Sequence, residues 1–422
     1  MARLSQAAHA QEIRRAYPRV LAKLLSVTRS LPDAEDALHD AVLRALRAWN
    51  ETNTPESAEA WLLTVATNAH RDRLRRSRTT ETHVDAARAL AELSPWARIA
   101  VAEPDVLRGW KDDLLRLLFA SCHPALEDGE SAGLALATVV GLSTDEIARA
   151  FVVAPRTMEQ RLTRARQRLR EKGDVEGTTP ERGRDRLGAV LRTIHLLFNE
   201  GYWSSAGDAP IRADLCRLAI GLAHSLVATY PDESEVLGLL ALVILHDARR
   251  DARLDEKGQP VPLTEQNRAR WDADAIKSGL GLLDRALAAG APGAYTTEAA
   301  ICAVHSRAST ADETDWDEIA SLYALLEGFR PTPAVRVNRA FAIGKANGAA
   351  HGLALLDEAD IDANAYPYVH LVRGTLLADA GEKAAAQAAL EEAVRCARNE
   401  HERMQIRDKI TKLVATTEVK GR

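Results

Sequence analysis

The sequence predicts an all-α protein, and three observations lead to this prediction. Alanine, leucine, arginine and glutamate dominate the 422 residues, and all four favour helix. Aromatic residues make up only 5% of the chain, and β-branched residues are scarce, so the composition disfavours strands. Apolar residues recur at helical spacing along most of the chain, and no segment shows the alternation of a strand.

The helical segments fall into groups, because a chain of this length is too long for a single core. Helical periodicity runs through 11–30, 33–49 and 59–76, and again from 112 to 170. The stretch from 173 to 183 is rich in glycine, threonine and charge, which is typical of a boundary. The predicted domains are 1–78, a linker 79–110, 111–172 and 184–418.

Pairs of helices joined by short glycine or proline turns follow residue 184, which favours an α-solenoid. The best single repeat is 366–397. Its small and large residues follow the spacing of a tetratricopeptide unit: Gly374, Leu377, Gly381, Ala386, Leu390 and Ala393. We therefore predict a tetratricopeptide-like array for this half.

Charge is distributed unevenly between the two halves, although the net charge is only −5. Residues 1–172 hold 26 basic and 23 acidic residues, and the remainder holds 29 and 37. The segment 149–172 contains eight basic residues against two acidic ones. This pattern indicates a nucleic-acid binder joined to a module of another kind.

The cysteines and the apolar runs indicate a cytoplasmic protein. Cys122, Cys216, Cys302 and Cys396 form no CxxC pair, so neither a disulfide framework nor a zinc site is expected. The N-terminus lacks the apolar core of a signal peptide, and no apolar run is long enough to cross a bilayer. We expect no membrane partner, metal or cofactor.

The segment 142–170 predicts a helix-turn-helix. Ser143 and Glu146 have the spacing of a capping box, and Pro155 suits the first position of a second helix. Met158, Leu162, Ala165 and Leu169 would form the buried stripe of that second helix. Its other face would enter the DNA major groove, where arginine and glutamine can read base edges. The candidate DNA-binding residues are Arg156, Thr157, Gln160, Arg161, Thr163, Arg164 and Gln167.

Two N-terminal helices have complementary charge. The helix at 33–49 is predicted to bury Ala37, Leu38, Ala41, Ala45 and Leu46, among others, and to turn acidic residues outward. A polar loop at 50–57 leads to a helix that starts with Trp61 and ends in a strongly basic run. An acidic helix, a loop and a basic helix in this order suit simultaneous contact with a protein and with DNA.

Three ordered motifs resemble the extracytoplasmic-function group of bacterial sigma factors. They are DAEDALHDAVLRALRAW, AWLLTVATNAHRDRLRR and GLSTDEIARAF followed by PRTMEQRLTRARQRLR, and they resemble that family's regions two and four. The stretches FNEGYWSSAGD, LLALVILHDARRDAR and EQNRARWD resemble the helical C-terminal extension of one sigma subgroup. The resemblance implies a sigma region-two domain, a region-four helix-turn-helix domain and a tetratricopeptide-like extension.

The resemblance also implies partners and site residues. Core RNA polymerase would bind through the clamp of its largest subunit to Asp36, His39, Asp40 and Arg44. Region two would capture the minus-ten promoter element, with a flipped base in the loop at 50–57. The residues implied for that element are Asn50, Asn53, Thr64, Asn68, Arg71, Arg73, Arg75 and Arg76. Region four would read the minus-thirty-five element, and a regulatory protein would bind the C-terminal array, which would regulate the sigma factor in cis.

Two positions depart from the family pattern. His39 stands where the family usually has glutamine, which puts one clamp contact in doubt. Thr67 stands where it commonly has arginine, so a backbone contact would shift to Arg71.

Two other functions remain open from sequence. One is a helix-turn-helix regulator that acts without polymerase and uses the array as a sensor. The other is a helical-repeat enzyme centred on His246 and Asp247, for which the sequence offers no metal-ligand spacing or nucleophile–base set. We expect a non-enzymatic promoter-specificity subunit.

Overall fold

The computed structural model is built from α-helices, and the part of the chain that it describes contains no β-strand. It describes residues 2–49, 53–78, 113–151, 153–172, 183–202, 211–256, 258–259, 261–363, 366–397 and most of 403–413. The predicted all-α class is therefore confirmed. The chain divides into two units, Met1–Thr229 and Tyr230–Arg422. No helix in the described ranges is both long and apolar enough to span a bilayer.

The first unit holds nine described helices. They are α1 (Ala2–Thr28), α2 (Leu31–Ala48), α3 (Ala58–Arg78), α4 (Asp113–Ser121), α5 (Asp128–Ala135), α6 (Thr144–Ala150), α7 (Pro155–Lys172), α8 (Leu187–Tyr202) and α9 (Ala213–Thr229).

Helices α1, α2 and α3 pack around one apolar core. Leu21 and Leu24 of α1, Leu38 of α2 and Leu62 of α3 are fully buried there. The N-cap of α2 is Ser30, whose side chain accepts a hydrogen bond from the backbone N–H of Asp33.

Helices α4 to α9 form the rest of the first unit. Helix α8 packs on α4 and α5, and the Arg186 guanidinium just before it donates to the carbonyl of Phe119 at 3.0 Å. Cys122 Sγ, just after the end of α4, lies 3.6 Å from Thr193 Oγ1 of α8. The first unit thus contains two helices beyond residue 184 besides the helix-turn-helix.

Eight α-helices of the second unit have bounds that the structure fully describes. They are α10 (Ser234–Asp247), α11 (Ala273–Ala289), α12 (Ala294–Arg307), α13 (Trp316–Phe329), α14 (Pro333–Asn347), α15 (Ala349–Glu358), α16 (Tyr368–Asp379) and α17 (Lys383–Cys396).

Helix α10 is the centre of the N-terminal part of this unit. Residues Val236 to Leu245 are buried without a break, because α11 and α12 both pack against this helix. Gly238 lets the backbone of α12 approach closely, since a Cβ at this position would lie 2.7 Å from the Thr296 Cα. The Glu235 carboxylate accepts backbone N–H groups of Tyr295 and Thr296 at 2.9 Å, which satisfies the start of α12.

Consecutive helices of α13 to α17 pack against one another. Glycines allow neighbouring helices to approach closely. A Cβ on Gly352 of α15 would lie 2.7 Å from the Cα of Gly344 in α14. Gly374 and Leu390, both in the predicted repeat 366–397, make a similar contact between α16 and α17. The tetratricopeptide-like assignment stays a prediction.

Candidate nucleic-acid and polymerase interface

Helices α6 and α7 form a capped helix-turn-helix. Gly141, at φ +73°, ends the preceding helical segment in the left-handed region that favours glycine. The Ser143 N–H donates to Glu146 Oε2 at 2.8 Å, and the Glu146 N–H donates back to Ser143 Oγ at 3.3 Å. Burial alone would raise the pKa of Glu146, but the hydrogen bonds from Ser143, together with the charges of Arg14 and Arg212, lower that pKa. The predicted capping box is confirmed.

Helix α7 has one buried face and one exposed face. Met158, Leu162, Ala165 and Leu169 are buried, as the sequence predicts. A shallow groove of about 530 Å³ lies on the other side. It is lined by Arg156, Glu159, Gln160, Thr163 and Arg164. Four of the seven candidate DNA-binding residues therefore share one open surface.

The remaining candidates of α7 lie around that groove. Thr157 and Arg161 are half-buried. Gln167 is exposed, and its amide donates to Glu171 Oε1 at 2.8 Å.

The arginines of α7 separate into two sets. Arg166, Arg168 and Arg170 form ion pairs with carboxylates elsewhere in the first unit, at 2.7, 2.6 and 3.1 Å. Arg156, Arg161 and Arg164 have no carboxylate within 4.0 Å among the described residues. In the part of the chain that the structure describes, only the second set lacks a carboxylate partner, which makes it the available set for phosphate or base contacts.

The predicted polymerase-binding residues of α2 lie in two environments. His39 and Arg44 are exposed. Asp36 and Asp40 are half-buried and pair with Arg73 of α3, whose guanidinium lies 3.6 and 2.7 Å from their carboxylates. Arg73, predicted to contact the minus-ten element, thus lies against the acidic face of α2.

Two leucines add to the exposed face of α2. Leu43 and Leu46 are each 46% exposed. The expected burial of Leu46 was wrong, because neither α1 nor α3 covers this side of the helix end. Leu43 is one turn from His39, so the exposed face is partly apolar, as a protein-binding surface requires.

The minus-ten candidates of α3 are mostly accessible. Thr64 and Asn68 are exposed and one turn apart on the helix. Arg71 is half-buried, and the Arg75 side chain is 74% exposed with its guanidinium 3.5 Å from Asp72. Asn53 is exposed in the preceding loop, where its amide donates to the carbonyl of Ala48 at 3.2 Å.

Two of the minus-ten candidates cannot be placed. Asn50 and the side chain of Arg76 lie outside the described residues. Thr67, the second departure from the family pattern, is buried and donates to the carbonyl of Leu63 at 2.7 Å. Its hydroxyl therefore serves the helix itself.

A bidentate ion pair between α2 and α7 was missed by sequence reasoning. The Arg166 guanidinium donates to both carboxylate oxygens of Glu35 at 2.7 and 2.8 Å, and Glu35 is 7% exposed. Burial alone would lower the pKa of Arg166, but the bonds to Glu35 raise it. The sequence did contain a signal for the burial of Glu35. This residue lies four positions after Leu31 and three before Leu38, so it shares the helix face of these two buried leucines. A carboxylate at such a position requires a cationic partner.

The residues of the enzyme hypothesis are occupied by local contacts. His246 Nδ1 lies 2.8 Å from the Arg249 guanidinium, and its Nε2 lies 3.3 Å from Cys302 Sγ. Asp247 pairs with Arg250. These contacts describe a packing and hydrogen-bonding motif at the end of α10.

Another group in the second unit has metal-ligand chemistry. His370, Glu392 and Cys396 place one ligand atom each within 4.8 Å of one another. Arg395 pairs with Glu392. Burial lowers the pKa of His370 most, and the charges of Arg373 and Arg395 lower it further. Because the positive charges of Arg373 and Arg395 lie beside these three side chains, the group is a poor binding site for a metal cation.

Comparison with known proteins places both halves of the chain. Residues 13–80 match the Sigma-70 region 2 family, and residues 186–287 match a family of unknown function, DUF6596. An uncharacterized protein of Rhizobium meliloti (strain 1021) is 38% identical over 402 residues, which is 95% of this chain and 94% of that protein. No solved structure matches the chain.

A second relative, a sigma factor, matches about a third of the chain. The RNA polymerase sigma factor CarQ of Myxococcus xanthus is 31% identical over 154 residues, which is 36% of this chain and 82% of CarQ. The match to region 2 covers α2 and α3, where the acidic and basic faces lie. The chain therefore belongs to the family of RNA polymerase sigma factors.

Proposed function

We propose that the chain is a sigma factor of the extracytoplasmic-function group that directs core polymerase to promoters with two separate DNA-reading elements. Helix α7 reads the minus-thirty-five element. Helix α3 and the loop before it hold the minus-ten element, and α2 binds the clamp of the largest subunit. The C-terminal helices regulate this activity in cis.

One observation carries the proposal for α7. Arg156, Arg161 and Arg164 have no carboxylate within 4.0 Å among the described residues, whereas Arg166, Arg168 and Arg170 are paired with carboxylates. Gln160 lies between Arg156 and Arg164 on the exposed face of the helix. This combination suits a major groove, where glutamine reads base edges and arginine binds bases or phosphates.

Transcription reconstituted from core polymerase, this chain and a promoter library tests the proposal. The wild-type chain is expected to initiate at a defined subset of promoters. Gln160→Ala should change the preference at one or two upstream base pairs by about 1–3 kcal/mol. Lys277→Ala, at an exposed position of α11 in the second unit, is the matched control. Equal loss on all promoters would show that Gln160 does not read bases.

The proposed regulation in cis needs its own test. A chain that ends at Thr229 keeps every described helix of the first unit, and circular dichroism checks its helix content. We expect its initiation rate on the selected promoters to differ from that of the full chain. Identical rates would exclude regulation by the second unit.

Core binding separates this proposal from a regulator that acts without polymerase. A sigma factor binds core polymerase before it selects a promoter. Tight binding of the free chain to duplex DNA, without any binding to core polymerase, would favour the alternative.

A further inference from the structure

A cleft of about 210 Å³ opens on the second unit, between the turns after α10 and the helices α12 to α14. Its polar lining comes from Thr264, Arg268, His305, Thr314 and Asn338, and its aromatic lining from Trp316, Tyr323 and Phe341. Arg268 belongs to the stretch EQNRARWD, which the sigma function leaves unexplained.

The cation of this cleft is Arg268. Its Nη1 donates to the carbonyls of His305 and Ala308 at 2.5 and 2.6 Å, and its guanidinium lies 4.5 Å from the ring centre of Trp271. Within the described part of the chain, no carboxylate lies within 4.0 Å of it. These contacts hold the guanidinium in place and leave its charge without a paired anion.

A second cation reinforces the positive field. The Arg249 guanidinium lies 5.9 Å from the same Trp271 ring. Burial first, then the charge of Arg249, lower the pKa of Arg268, and Glu313 opposes this effect. Burial and the same two arginines lower the pKa of His305 to about 4. The imidazole is therefore neutral at pH 7, and the field at the cleft favours an anion.

The wall of the cleft is aromatic. Trp316 lies edge-to-face with both His305 and Phe341, with ring centres 5.5 and 5.6 Å apart. Such a wall accepts a flat apolar body. At about 30 Å³ for each water-sized volume, the cleft of about 210 Å³ holds about seven such volumes, which is the scale of a small organic molecule.

We propose that this cleft binds a small planar organic carboxylate, with the carboxylate on Arg268 and the ring against Trp316 and Phe341. Arginine can bind a carboxylate through two parallel hydrogen bonds, which fixes the orientation of the acid. The acid can act as an effector of transcription only if the proposed function is correct. Its binding to the cleft does not depend on that function.

Calorimetry on the full-length protein tests the binding. The probes are benzoate, salicylate and nicotinate, and benzamide is the uncharged match for benzoate. We expect at least one acid to bind and benzamide to bind at least tenfold more weakly. Arg268→Gln should weaken the acid at least tenfold, Phe341→Leu should weaken it with Arg268 intact, and Lys277→Gln should change nothing. Absence of binding by all three acids at 10 mM, or equal binding by Arg268→Gln and wild type, would overturn the proposal.

The titration of His305 gives a second readout. A bound carboxylate brings negative charge to the cleft, so the His305 pKa should rise when the acid is added, as followed by NMR of labelled histidine. An unchanged His305 titration with the acid bound would place the acid elsewhere.

Discussion

The unpaired arginines of α7 lead to a quantitative prediction for DNA binding. Arg156 and Arg164 are exposed, line the groove of α7 and have no carboxylate partner among the described residues. Each phosphate that a protein neutralises adds about 0.9 to the slope of log affinity against log salt concentration. If both arginines contact phosphates, the double variant Arg156→Gln, Arg164→Gln should lower that slope by about 1.8.

The assay is fluorescence anisotropy of a labelled promoter duplex with the holoenzyme at several salt concentrations. Between 50 and 200 mM salt, a slope change of 1.8 corresponds to about a twelvefold smaller loss of affinity in the variant. The matched control is Arg168→Gln on the same helix, where the arginine already pairs with the buried carboxylate of Glu130 at 2.6 Å. This control should leave the slope unchanged. Equal slopes for the double variant and wild type would refute the assignment of Arg156 and Arg164.

Three further predictions concern stability. Ser143→Ala removes one side of the capping box and should destabilise the helix-turn-helix by about 1 kcal/mol in denaturant unfolding. Gly238→Ala places a methyl group against Thr296 Oγ1 and should destabilise the second unit by about 1–3 kcal/mol. Its control is Gly281→Ala on α11, where the added methyl group meets open space and should leave stability unchanged or raise it. The pKa of His123 is lowered to about 4, first by burial and then by Arg186 and Lys172. Between pH 6.5 and 4 the unfolded chain therefore binds more protons at His123 than the folded chain does. His123 should reduce the free energy of unfolding as the pH falls through that window, and His123→Gln should flatten the pH dependence of the melting temperature.

The helix-turn-helix could be predicted from sequence because its determinants are local. Ser143 and Glu146 are three residues apart, and the buried stripe of α7 repeats every three or four residues. Such signals require only helix geometry and hydrogen-bond chemistry. The outward face of α7 follows from the same stripe, so the DNA-binding candidates on that face could be named in advance.

The pairing of the arginines could not be predicted in the same way. Arg166 and Glu35 are 131 residues apart, and no local rule selects Arg166 over Arg164 as the partner of Glu35. The choice depends on how α7 lies against α2, which is a property of tertiary packing. The cleft of the second unit has the same origin, because Arg268 and His305 come together only when α12 packs beside α10.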